Sequence, residues 1–357
     1  MQDIEMLAEN LVIEAYLQHA SDIHIVPRRN DAEILLRIDD ELYFRKRINK
    51  KEYDRLLGHF KFSASMDIGE TRRPQNGALT VTVKNIPISL RLSTLPTPFH
   101  ESLVIRLLPQ DNLLPPTHIS LFPDISKKLL ALFKHSHGLI IFTGPTGSGK
   151  TTTLYSLLHA TKKELNRNII TLEDPIEKQS DDMLQVQINE KAGITYAAGL
   201  KAILRHDPDI IMVGEIRDEE TAKVAIRAAL TGHLVLSTMH TRHAKGSVFR
   251  LLELGASLQE LEQTLIAVSA QRLVDLKCPY CKGKCTPDCK KARKQRRACI
   301  HELLVGQDLG MLFRQLHGEC VHYHYKEIPD LIRKGIALGY INPESFEKWA
   351  YQHDQKK

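Results

Sequence analysis

Apolar side chains recur at helical spacing over residues 2–20 (Met6, Leu7, Leu11, Ile13, Leu17), which predicts an amphipathic helix at the start of the chain. The pattern then turns to alternation. Short strands are expected at 23–26, stopped by Pro27, and at 33–38 and 41–47, the last two joined at Asp39-Asp40. A helix follows from about Lys50 to Phe62, then a hairpin of 79–84 with 87–93 about Asn85-Ile86, and a strand at 103–108. Residues 1–108 thus read as a small mixed α/β domain. Four prolines in 109–123 (Pro109, Pro115, Pro116, Pro123) favour extended chain and mark a linker. Beyond it, strands are expected at 139–142, 168–172, 210–213 and 234–237, and helices at 151–165, 197–205, 219–230 and 257–270. Such alternation over residues 124–276 implies a mostly parallel sheet covered by helices. Residues 298–357 read as short helices ending in a polar tail, and no internal repeat is visible.

Between the strand and helix signals stands Gly144-Pro145-Thr146-Gly147-Ser148-Gly149-Lys150-Thr151. It fits the phosphate-loop pattern G-x-x-x-x-G-K-[ST] in the strand–loop–helix setting that the pattern requires. Glycines let backbone amides wrap a phosphate, and the following helix N-terminus points its own amides at the charge. Lys150 is expected to reach the β- and γ-phosphates of ATP, and the Thr151 hydroxyl to ligate Mg²⁺. A site of this kind needs an acid at the end of a neighbouring strand. Strand 210–213 runs into Gly214-Glu215, which makes Glu215 the candidate catalytic carboxylate. Glu173, at the end of strand 168–172, is the second candidate, with Asp174 and Glu177 behind it. Both strands are expected to flank the phosphate-loop strand. His233 and His240 bracket strand 234–237 and are candidate phosphate sensors, as is Arg217, although a strand-end histidine is more often structural.

Composition is that of an ordinary globular protein, 42% hydrophobic and 26% charged, which excludes a disordered or collagen-like chain. No apolar stretch approaches the ~20 residues that span a bilayer. The acidic N-terminus lacks a signal-peptide core, so a cytoplasmic place is expected, at most peripheral to the membrane. The net charge of +6 is a local matter. Residues 277–297 hold nine Lys and Arg against Asp288, net +8, which leaves −2 for the rest of the chain. The same segment contains Cys278, Cys281, Cys285 and Cys289, spaced C-x2-C-x3-C-x3-C. Clustered cysteines in a cytosolic chain read as metal ligands before disulfides, and four thiolates can surround Zn²⁺. The alternative is four reduced thiols in a solvated basic element. Cys299 and Cys320 fit no pattern.

TGPTGSGKTTTLYS (143–156), ITLEDPIE (170–177), LRHDPDIIMVGEIRDEETA (204–222) and AALTGHLVLSTMHT (228–241) resemble the Walker A, Asp-box, Walker B and His-box motifs of secretion ATPases. These are the hexameric ATPases of type II secretion and type IV pilus assembly. ASDIHIVP (20–27), RRPQNG (72–77) and ISLRLSTLPTPFHESLVIRLL (88–108) resemble that family's second N-terminal domain, and the likeness spans about residues 8–305. It implies a RecA-like P-loop ATPase domain behind a small PAS-like α/β domain, then a Cys-rich element and a helical extension. It also implies a ring of six subunits, hydrolysis of ATP with Mg²⁺, and N-terminal-domain arginines that meet the nucleotide phosphates. Arg91 and Arg106 occupy those motif positions. Assembly members of the family carry a two-CxxC zinc element where 277–297 lies; here the second pair is close by and spaced by three. TPFHES (97–102) departs from the family's usual Gly-Glu, and the first N-terminal domain is not matched, so docking is expected through another surface. A second N-terminal domain followed by an ATPase domain is similar to the ATPase of the Gram-positive competence pseudopilus, which supports DNA uptake. The expected partner is a polytopic membrane platform protein, with nucleic acid involved only indirectly. A RecA-like nucleic-acid translocase using the basic run is the alternative, opposed by the single aromatic there, Tyr280. A nucleotide-binding scaffold without hydrolysis is a further one.

Overall fold

The computed structural model describes residues 2–39, 41–110, 113–281, 285, 289, 293 and 295–350. Among the described residues the chain separates into two compact units, one of residues 2–110 with 285, 289 and 293 and the other of residues 113–281 and 295–350.

The first unit runs α1 (Gln2–Leu17), β1 (Asp22–Pro27), β2 (Asp31–Ile38), β3 (Glu41–Asn49), α2 (Lys50–Ser63), β4 (Gln75–Val83), β5 (Ile86–Thr97) and β6 (His100–Pro109). Its six strands form an antiparallel sheet in the order β3-β2-β1-β6-β5-β4. Alternate residues of β2 and β6 are buried, as period-2 patterning requires. They share one apolar core with Ala8, Leu11 and Ala15 of α1 and Leu56, Leu57 and Phe60 of α2. Asn49 and Glu52 form a capping box that starts α2. The buried pair Lys61–Glu101, 2.9 Å apart, pins that helix to β6. The β4–β5 turn sits one residue earlier than expected, at Lys84-Asn85, both with positive φ as a two-residue primed turn demands.

The second unit contains α3 (Pro123–Leu132), β7 (Gly138–Thr143), α4 (Lys150–Leu165), β8 (Ile169–Glu173), β9 (Leu184–Gln187), α5 (Tyr196–Ile203), β10 (Ile210–Val213), α6 (Glu219–Leu230), β11 (Leu234–Met239), α7 (Ala244–Glu253), α8 (Leu258–Thr264), β12 (Leu265–Asp275), β13 (Arg297–Val305), α9 (Gln307–Leu316), α10 (Ile328–Ala337) and α11 (Glu344–Ala350). The sheet order is β13-β12-β7-β11-β10-β8-β9, parallel except for β13. Both faces are covered by helices, and β7, β10 and β11 are buried at every residue. No helix among the described residues is long and apolar enough to cross a membrane.

Three expectations are corrected. Residues 257–270 were expected as one helix, but the helix ends at Thr264 and β12 begins at Leu265. A strand buried on both faces reads as a continuous apolar run, and periodicity cannot tell it from a buried helix. For the same reason the start of the C-terminal stretch is not helical: Arg297–Val305 is an edge strand, antiparallel to β12. Finally, β8 and β10 do not flank β7; β11 and β12 do. Strand order is set by crossover connections and leaves no local trace in the chain.

Glu302 on β13 is fully buried and joins three parts of this unit. Its carboxylate accepts from the Ala244 amide (2.8 Å), the Tyr325 hydroxyl (2.8 Å) and the Ile328 amide (3.1 Å). Ala244 and Ile328 open α7 and α10, so one side chain satisfies a first-turn amide of each helix. Glu302→Ala leaves three buried donors unmet and is expected to cost about 3–5 kcal/mol, lowering Tm by roughly 10 °C in a thermal melt. Burial pushes the Glu302 carboxyl up from its ordinary 4.5. The folded state therefore holds this proton more tightly than the unfolded chain, and its contribution to stability declines as pH rises above that value.

Candidate nucleotide site

Three glycines shape the loop between β7 and α4. Gly144, Gly147 and Gly149 have φ of +148°, +77° and +85°, and a Cβ on Gly144 would stand 2.5 Å from the Gln271 carbonyl oxygen. Gly149 is the N-cap of α4 and has no side chain to cap it, so the first amides of this 16-residue helix stay open to an anion. Ser148 Oγ is buried without a hydrogen-bond partner among the described residues, a spare donor within the loop. Lys150 Nζ donates to the carbonyls of Gly144 (2.8 Å) and Pro145 (3.1 Å). Open amides, a spare hydroxyl and a buried ammonium fit a polyphosphate.

Burial lowers the Lys150 pKa to about 8, with the nearby Glu215 charge opposing it. Only the ammonium form attracts phosphate, and bound phosphate holds the proton. ATP binding is therefore expected to be flat below that pH and to weaken about tenfold per unit above it. Calorimetric titration from about pH 6.5 to 9.5 checks this.

Glu215 is held by the β10–β11 pairing. Ser237 and Thr238 hydroxyls donate to the carbonyls of Val213 (2.8 Å) and Gly214 (2.6 Å), and the Ile216 amide donates to Thr238 O at 3.1 Å. The Glu215 carboxylate pairs with Arg217 Nε at 2.6 Å and lies 3.7 Å from His240 Nε2. His240 is held below its ordinary 6.5, first by burial and then by the Lys150 charge. Lys150, Glu215, Arg217 and His240 are thus gathered at the C-terminal ends of β7, β10 and β11. Thr143, at the end of β7, accepts the Thr241 amide at 2.7 Å and ties the loop after β11 to this edge.

Glu173 is also buried, but its Oε1 is engaged by the hydroxyls of Tyr155 (2.6 Å) and Thr171 (2.7 Å). Burial pushes this carboxyl up. Of the two acids beyond β8, Glu177 weakly supports the Lys150 ammonium, behind Glu215, and Asp174 weakly supports the Arg217 charge. His233 lies at the opposite end of β11, with its Nδ1 against the Ala228 carbonyl at 3.0 Å. Six strand steps separate it from Met239 at the loop edge, roughly 20 Å.

The chain matches the family described as "Type II/IV secretion system protein" over residues 1–341. It belongs to that family. It is 56% identical over 352 residues to the competence protein ComGA of Bacillus subtilis (strain 168), covering 98% of this chain and 99% of the relative. It is 42% identical over 277 residues to the type II secretion system protein E of Klebsiella pneumoniae, covering 77% of this chain and 56% of the relative. Among solved structures it is similar to the pilus retraction motor PilT with bound ADP, at a TM-score of 0.70 and 26% identity over 95% of each chain. The Legionella pneumophila ATPase DotB shares the fold at a TM-score of 0.74, with 20% identity over 97% of this chain and 96% of that one. The chain is an ATPase of the secretion and pilus class.

Other family positions fall as follows. Arg91 and Arg106 are direct cross-strand partners on β5 and β6. Arg106 Nε donates to Asp22 at 2.9 Å, and Asp22 stands between Arg106 and Arg37 across three strands. The thiol sulfurs of Cys278, Cys281, Cys285 and Cys289 all lie within 4.8 Å of one another. Tetrahedral Zn–S bonds of ~2.3 Å place sulfurs about 3.8 Å apart, so these four residues fit the ion. Cys299 is buried and Cys320 exposed.

Sequence patterning overlooked Tyr155, Gln271, Arg272 and Glu302. Gln271 and Arg272 are polar residues inside the apolar run of β12, and Glu302 sits in that of β13. A polar side chain in a buried strand must find a partner, and that signal was available.

Proposed function

We propose that this chain is the cytoplasmic motor ATPase of a competence-type pseudopilus, working as a ring of six against a membrane platform protein and so supporting DNA uptake. The observation that carries this reading is the meeting of Lys150, Glu215 and His240 at the glycine loop, in a chain akin to ComGA over nearly its whole length. The loop amides and Lys150 hold the β- and γ-phosphates of ATP. Bound Mg²⁺, with Thr151 as a ligand, would draw off phosphate charge. Glu215 orients a water and takes its proton as the oxygen closes on the γ-phosphorus; the bond to the β-phosphate oxygen breaks, releasing ADP and phosphate. Arg217, ion-paired to the Glu215 carboxylate, and His240 beside it keep Glu215 placed. Arg91 and Arg106, at the family's arginine positions, are the further cations assigned to the nucleotide phosphates in this proposal.

Light scattering coupled to size exclusion, with and without ATP and Mg²⁺, tests the ring alongside an ATPase assay. A nucleotide-dependent hexamer with turnover supports the reading, and a nucleotide-indifferent monomer overturns it.

The four gathered thiolates hold a structural zinc ion in this proposal. Metal analysis of purified protein is expected to find about one zinc per chain, lost in a Cys278→Ser, Cys281→Ser double variant. Near-zero zinc in a folded wild-type protein overturns it.

A further inference from the structure

The phosphate loop rests on a shelf that comes from outside the family's nucleotide motifs. Gln271, in β12 one step beyond the Ala270–Thr143 pair, is fully buried. Its Nε2 donates to the Ser148 carbonyl at 2.7 Å and also lies 3.1 Å from Cys299 Sγ on β13. The Cys299 thiol is itself 3.7 Å from that carbonyl. The contact extends to both ends of the loop. A Cβ on Gly149 would meet Gln271 Nε2 at 3.0 Å and Cys299 Sγ at 3.3 Å, and one on Gly144 would meet the Gln271 carbonyl. The backbone and side chain of one residue therefore touch the first and last glycines of the loop.

We propose that Gln271 is a positioning residue for ATP binding: its amide holds the Ser148 peptide turned so that the loop's N–H groups face the phosphates. The geometry behind this is simple. A peptide unit presents its carbonyl and its N–H on opposite sides. The N–H of Gly149 belongs to the same peptide as the Ser148 carbonyl, so holding that carbonyl against β12 aims the N–H away from the shelf, into the loop. With three glycines at positive φ, the loop has few constraints of its own. A fixed donor beneath it removes alternative peptide orientations before the ligand arrives, and affinity then depends on the fraction of protein already in the competent arrangement. Cys299 fills the space beside the amide. Its thiol is pushed up to about 11 by burial, so it remains neutral; its sulfur accepts the second N–H of the Gln271 amide and its S–H faces the same Ser148 carbonyl.

This inference rests on the ATPase reading and is independent of which machine the motor drives. It predicts a KM effect. Gln271→Leu keeps the volume but loses the donor, and KM for ATP is expected to rise about tenfold with kcat changed less than about threefold. A merely structural role would lower the active fraction, and so kcat, and leave KM alone. Gln271→Glu supplies the distinctive readout. Its ionised carboxylate opposes the Ser148 carbonyl, whereas its protonated form donates an O–H to it. ADP affinity of this variant is expected to recover about tenfold between pH 8 and pH 6, beyond any change in the wild type. A KM in Gln271→Leu within twofold of wild type, or a Gln271→Glu profile parallel to wild type, overturns the proposal. A third measurement needs no variant: alkylation of Cys299 in the wild-type chain by N-ethylmaleimide, followed by peptide mass spectrometry with and without Mg·ADP. A loop locked onto the shelf slows Cys299 modification at least fivefold, and a rate indifferent to nucleotide refutes the shelf. Wild-type turnover, measured alongside, separates failure of this inference from failure of the ATPase reading.

Discussion

Lys150→Ala is expected to lower ATPase activity by about 1,000-fold while leaving the melting temperature within a few degrees of wild type. The two halves of this expectation have separate causes. On the catalytic side, Lys150 is a buried cation at the loop, and no other residue of the motif carries charge. Its ammonium donates to the carbonyls of Gly144 and Pro145. Its pKa, lowered to about 8 by burial, shows that the folded chain disfavours this charge until an anion arrives. Losing the side chain therefore removes a strained group as well as two hydrogen bonds, and stability changes little. ATPase assay and thermal melt on the same preparation check both halves. Undiminished turnover in Lys150→Ala would refute phosphate-loop catalysis by this chain.

Glu215→Gln is expected to act on the other term, lowering kcat by about 100- to 10,000-fold with ATP affinity unchanged or slightly tighter. The amide keeps the shape of the side chain and can no longer accept a proton. It also removes a negative charge that acts on Lys150 and therefore on bound phosphate. Arg217 loses its ion-pair partner at 2.6 Å, but its own side chain is well exposed, so the fold bears little of the cost. Steady-state kinetics with separate KM and kcat, together with ADP binding by calorimetry, provide the check. A Glu215→Gln protein that turns over ATP normally transfers the role to another acid. Glu177 is then the first to examine, because it acts on the Lys150 ammonium and Glu173 is engaged by Tyr155 and Thr171.

The two acids show how far strand-end reasoning reaches. Glu215 and Glu173 look alike in the sequence, since each ends an apolar strand. They differ through the side chains that meet them: Tyr155, eighteen residues earlier, engages Glu173, while His240, twenty-five residues later, and the nearby Arg217 meet Glu215. The two histidines around β11 look alike for the same reason. Parallel strands carry one end to the loop and the other to the far side, which separates His240 from His233.

What the sequence determined by itself is whatever lies on a short contiguous stretch. The glycine loop with Lys150 is legible because its ligands are consecutive amides and one nearby side chain. The N-terminal strands are legible because one wet face makes them alternate. The tertiary structure alone decided which strands flank β7, that residues 265–275 and 297–305 are strands, and that Gln271 and Cys299 lie beneath a loop more than a hundred residues away. The physical reason is burial. A residue's hydrophobicity records whether it meets water but not which neighbour it meets, and strands covered on both faces lose even the periodicity that would reveal their shape.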